Sequence, residues 1–110
     1  MAKGSHLGDL EELVLLAVMG LGEDAHGGTI RGALKQLARR SVSISTIYVT
    51  LMRLEEKGYA LSWKGEPTAE RGGKAKRHYE VTPAGLDVLR HVRDVRERMW
   101  GDAPKGRAHA

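Results

Sequence analysis

The chain contains no cysteine and no phenylalanine, and only two tryptophans, three tyrosines and three prolines. Without cysteine there is no disulfide framework and no thiolate metal site. Without phenylalanine, packing falls to Leu, Val, Ile and Ala. No apolar run approaches the roughly 20 residues of a membrane span, and no secretory signal is visible. The expectation is a soluble, cytoplasmic, bacterial-type protein with no membrane partner. His6, His26, His78, His91 and His109 share no metal-ligand spacing. No phosphate-binding glycine loop, nucleophile elbow or paired-carboxylate acid is present. Neither an enzyme, a metal nor a cofactor is expected.

What remains suits one domain of 110 residues with a mildly basic balance, net charge +4 and pI near 9.6. That balance permits a nucleic-acid partner without demanding one. Leu10, Leu13, Val14, Ala17, Val18 and Leu21 follow helical spacing. Leu15, Leu16 and Met19 lie off that stripe, so this first helix asks for cover on two sides. Gly22 to Gly28 reads as a turn with Asp24 as a candidate cap. Ile30, Ala33, Leu34, Leu37 and Ala38 make a second stripe, and a link of about four residues leads to a third helix.

The third helix runs from Ser43, a good N-cap, to Gly58, a good C-terminal stop. Ile44, Ile47, Leu51 and Leu54 form its apolar face. Its other face offers short hydroxyls and Val49 first, then cations, which suits a helix entering a DNA major groove N-terminus first. Ser45, Thr46, Val49 and Thr50 are the candidates for base edges. Tyr48 and Arg53 are the candidates for phosphates, and Ser43 and Lys57 complete the surface.

Beyond Gly58 the period changes to two: Tyr59, Leu61 and Trp63 alternate with Ala60, Ser62 and Lys64, and a second alternating run covers Arg77 to Val81. The intervening loop is rich in glycine and charge. Arg71 and Lys74 at its tip, with Lys76 and Arg77, are candidates for phosphate and minor-groove contact. Thr82-Pro83 starts a long helix to about Trp100, roughly 27 Å at 1.5 Å per residue. Val88, Val92, Val95 and Met99 are spaced four, three and four, a coiled-coil-like seam widened by Leu86 and Leu89. The expected division is a disordered segment 1–8, a winged helix-turn-helix domain 9–82, a dimerisation helix 83–100 and a disordered tail 101–110. The fold class is mainly α with a small β-hairpin.

Four stretches carry a family resemblance: Leu13-Val14-Leu15-Leu16-Ala17; His26-Gly27-Gly28-Thr29-Ile30; Ser45 through Gly58; and Lys76-Arg77-His78-Tyr79-Glu80-Val81-Thr82-Pro83-Ala84-Gly85. Across about Leu10 to Leu89 the chain resembles the PadR family of bacterial transcriptional regulators, in its short form. The resemblance implies a homodimeric winged helix-turn-helix repressor on double-stranded operator DNA with two half-sites. It also implies a dimer joining the last helix to the partner's first, which agrees with the surplus faces Leu15, Leu16, Met19, Leu86, Val88, Leu89, Val92, Val95 and Met99. Trp100, at the end of the seam, is the candidate contact for a small aromatic or cationic effector. The competing expectation is a winged helix used only for protein contact.

Overall fold

The computed structural model describes residues 6–66 and 76–102. Its order is α1 (Asp9–Leu21), a 3-10 turn (Gly22–Asp24), α2 (Gly27–Leu37), α3 (Ile44–Glu56), β1 (Ala60–Lys64), β2 (Arg77–Val81) and α4 (Pro83–Asp102). The two strands pair antiparallel, from Ala60 opposite Val81 to Lys64 opposite Arg77. This is the expected winged helix-turn-helix, mostly helical with one hairpin.

The core is aliphatic. Val14, Leu15 and Val18 of α1 meet Ile30 and Leu34 of α2 and Ile47, Leu51 and Leu54 of α3. Tyr59 and Tyr79 close it on the wing side, and Val88 and Leu89 close it from α4. Burying a large aliphatic side chain contributes about 1.5–3 kcal/mol, so this cluster fixes how α3 stands relative to the other helices.

Several boundaries differ from expectation. The fold begins before residue 9: Leu7 packs against the core, and the Gly8 N–H donates to the Glu11 carboxylate at 2.7 Å. Asp24 does not cap α2. It lies in the 3-10 turn, and His26 holds the N-cap position, its N–H donating to Thr29 Oγ1 at 3.0 Å. The helix-turn-helix link spans residues 38–43, longer than expected. Arg39 takes a left-handed φ of 56° there, and the Arg40 N–H returns to the Leu34 carbonyl at 3.1 Å, which also accepts the Ala38 N–H at 3.0 Å. α4 continues to Asp102 rather than ending at Trp100.

The wing inverts a simple reading of the alternation. Register puts Leu61 and Trp63 on the face of Glu80 and His78, and both apolar side chains are exposed. The small residues Ala60 and Ser62 instead share the inner face with Tyr79 and Val81. The aromatic ring of Tyr79 needs that room.

Thr82-Pro83-x-Gly85 seats α4. The Thr82 N–H donates to the Tyr59 carbonyl at 3.0 Å, its hydroxyl donates to the Gly58 carbonyl at 2.6 Å, and the Gly85 N–H donates to Thr82 Oγ1 at 3.0 Å. A Cβ on Gly85 would fall well inside contact distance of the Tyr59 carbonyl oxygen. Only glycine lets the first turn of α4 approach that closely.

Candidate nucleic-acid interface

Ser43 caps α3 as its sequence position requires: its Oγ accepts the Thr46 N–H at 3.2 Å and lies 2.9 Å from Thr46 Oγ1. Ser43, Ser45, Thr46, Val49 and Arg53 are all exposed, while Ile47, Leu51 and Leu54 on the opposite side are fully buried. Aliphatic packing from behind therefore holds a hydroxyl-rich surface outward. The first turn of α3 carries no acidic residue. A groove of about 580 Å³ runs along this surface between Asp9, Ser45, Thr46, Val49 and Arg53.

Two residues expected on this surface are engaged elsewhere. Thr50 is only 5% exposed, and its hydroxyl donates to the Thr46 carbonyl at 2.8 Å within the helix. Its burial and this internal bond leave it unsuited to a base contact. Lys57 Nζ lies 2.7 Å from the Glu11 carboxylate and donates to the His6 carbonyl at 2.9 Å. It ties α3 to the start of α1 and is withdrawn as a DNA contact.

Tyr48 is half exposed and does more than line the surface. Its ring lies against the start of α2, where a Cβ on Gly27 would fall 2.5 Å from Tyr48 Oη. At the wing base, Lys76 and Arg77 are exposed. The Arg77 guanidinium donates to Ser62 Oγ at 3.0 Å, and Ser62 donates to the Glu55 carboxylate at 2.5 Å. Glu55 thus receives a hydroxyl that links the wing to α3. Arg71 and Lys74 lie outside the described residues.

A ring cluster that spacing alone does not disclose stands at the same wing base. His78 stacks on Trp63 at 5.8 Å with 21° between planes, and His26 meets His78 edge-on at 6.3 Å. His78 Nδ1 is buried with no hydrogen-bond partner among the described residues. Period-two alternation alone does not give this pairing; the strand register places His78 opposite Trp63. Nothing in the sequence placed His26 beside them.

Comparison with known proteins agrees with this fold. The family model described as the transcriptional regulator PadR-like family matches residues 15–91. The chain belongs to that family. It is a transcriptional regulator and not an enzyme. Among solved structures, a PadR-like transcription factor from Bacteroides fragilis aligns with TM-score 0.71 at 21% identity, covering 87% of each chain. A PadR family transcriptional regulator from Eggerthella lenta aligns with TM-score 0.63 at 26% identity, covering 88% of this chain and 84% of that one. Bacillus subtilis PadR in complex with operator DNA aligns with TM-score 0.62 at 25% identity, covering 76% of this chain and 46% of that one. No curated protein sequence matches.

The second surface of this PadR-like chain lies on α1 and α4. Leu16, Met19, Val95 and Met99 are exposed, Met99 by 69%, and Leu86 and Val92 are half buried. Leu15, Val88 and Leu89 do not belong to that surface, because each is enclosed in the chain's own core. Leu15, at 0% exposure, answers the second apolar side of α1 from within. Trp100 is 75% exposed and borders a groove of about 580 Å³ with Leu7, Val92, Val95 and Met99. Among the described residues, no helix is long and apolar enough to cross a membrane.

Proposed function

We propose that this PadR-like regulator is a homodimeric repressor that reads double-stranded DNA with α3. Ser45, Thr46 and Val49 meet base edges in the major groove, with Val49 suited to a thymine methyl. Ser43, Tyr48 and Arg53 meet the flanking backbone. Lys76 and Arg77 bring the wing to the phosphates, and Arg71 and Lys74, by their sequence position, extend that contact. The observation that carries this reading is the exposed hydroxyl face of α3, held rigid from behind by the fully buried Ile47, Leu51 and Leu54. The exposed apolar row on the distal half of α4, with Leu16 and Met19 of α1, supports a twofold assembly in which each subunit covers the other's row. A small aromatic or cationic effector stacked on Trp100 in that interface would alter the spacing of the two reading helices.

Selection of bound fragments from a random duplex pool tests the reading directly. The expected product is a pair of half-sites about 10 base pairs apart. A dimer neutralising roughly eight phosphates gives a log–log salt slope near −7. Thr46→Ala with Arg53→Ala abolishes selection, whereas Thr50→Ala leaves it intact. A slope near zero and no enriched sequence would leave the protein-contact role standing instead.

A further inference from the structure

A cleft of about 680 Å³ opens where α2 begins, between the middle of α3 and the base of the wing. His26, Tyr48, Lys76 and Arg77 line it together with the first residues of α2. It is distinct from the α3 groove that holds the base-edge candidates. Two cations come from the start of β2 and the residue before it, a phenol from α3 and an imidazole from the α2 cap, so three separate parts of the fold converge on one opening.

The imidazole is the unusual member. The His26 side chain is only 16% exposed, and its Nε2 lies 3.7 Å from an Asp24 carboxylate oxygen. Burial, then the positive charge of Lys76, depress its pKa below the ordinary imidazole value. Asp24 pulls it upward and His78 adds to the depression, and the net effect is downward. The groups facing it are Asp24 from the 3-10 turn, Tyr48 from α3, and Lys76, Arg77, His78 and Tyr79 around β2, with the uncharged Trp63 of β1 behind His78. Glu23 and Glu80 line a different groove, beside Met19 and Leu86. In the free protein, burial and the Lys76 charge disfavour the imidazolium form of His26.

We propose that duplex binding is proton-coupled at this cleft: a DNA backbone phosphate seated among Lys76, Arg77 and Tyr48 causes His26 to take up a proton and join the phosphate contact. An anion at that place offsets both the Lys76 charge and the burial, which are what disfavour the imidazolium. The ring then donates from a position that Asp24 already favours for the charged form. The proposal rests on the reading that the protein binds DNA. It adds that the affinity is set by pH through one residue outside the base-reading helix.

The test measures the affinity of the full chain for a labelled mixed-sequence duplex of about 30 base pairs, at fixed ionic strength, because phosphate contacts are sequence-independent. Between about pH 8 and about pH 6, wild-type affinity is expected to rise by about three- to tenfold per bound subunit. Calorimetry in buffers of different ionisation enthalpy should register proton uptake. His26→Gln should remove the pH slope and the proton uptake while keeping wild-type helicity. His91→Gln, on the exposed side of α4, should keep both. Should His26→Gln prove unfolded, the His26 ring resonance of the wild type decides: its titration midpoint must rise on addition of duplex, and an unmoved midpoint overturns the proposal. Binding whose pH slope is absent, or is the same in His26→Gln, overturns proton coupling and leaves DNA binding standing. No duplex binding at any pH overturns both.

Discussion

Helices α3 and α4 carry nearly the same apolar spacing and put it to opposite uses. In α3, Ile47, Leu51 and Leu54 stand four and three residues apart, and all three are at 0% exposure. In α4, Val88, Val92, Val95 and Met99 repeat the same steps, but exposure climbs along the row from 9% at Val88 to 69% at Met99. The difference lies in position. α3 crosses the middle of the domain, with α1, α2 and β1 against it, whereas α4 touches the core through its first turns and then runs past it. A periodic stripe identifies a face that wants cover. Whether the cover comes from the same chain depends on where the helix goes.

That contrast can be broken most strongly in α3. Leu51→Ala should destabilise the fold by about 3 kcal/mol, read as a lowered denaturant midpoint, because a close-packed core cannot collapse onto the cavity. Met99→Ala, at a concentration low enough to keep subunits apart, should cost less than about 0.5 kcal/mol. Equal effects would mean that the two stripes are not different in kind.

The exposed row is tested next by charge. Val95→Asp with Met99→Asp should weaken self-association by about a hundredfold, or about 2.8 kcal/mol, in sedimentation or light scattering. The core packing of the single chain should survive. A protein monomeric before the substitution would remove the assembly that the row is proposed to serve.

A smaller effect concerns the clamp between the two ends of the domain. Lys57 and Glu11 pair at 2.7 Å with side chains 25% and 11% exposed. Burial alone would raise the Glu11 pKa, but the hydrogen bond from Lys57, the Gly8 N–H and the charges of Lys57 and Arg53 outweigh it and lower it from 4.5. A carboxylate depressed in the folded state stabilises fully above its unfolded value, near pH 4.5, and loses that contribution as the pH falls through the folded value. Lys57→Met should cost about 1–2 kcal/mol at neutral pH and flatten the acid limb of the stability curve. An unchanged acid limb would show that the clamp does not contribute. Smallest of all, Ser43→Ala should cost about 1 kcal/mol through loss of the α3 cap, measurable as a shift in melting temperature.

Most of the α-helical plan was legible because caps and stripes are local. Ser43, Gly58 and Thr82 each mark a boundary with a specific backbone need, and each stands where an element starts or ends. Helical angle alone places Thr50, Lys57 and Leu15 on outward faces, and angle does not tell which neighbour reaches over. Thr50 was free to bond back to its own helix, Lys57 to reach Glu11 across the domain, and Leu15 to be covered by α1's own partners. The outward turn of Leu61 and Trp63 escaped for a similar reason: period two distinguishes two faces but not which one has Tyr79 to accommodate.

Residue order by itself determined the number and kind of elements, the hairpin after the helix-turn-helix, and the family, since these follow from spacing and from caps that act within a few residues. Tertiary structure alone decided which hydroxyls of α3 remain outside, which seam residues are left for a partner, and that His26, His78 and Trp63 meet at the wing base. Those outcomes depend on contacts between residues far apart in the chain, and their energies exist only once the packed core has brought the elements together.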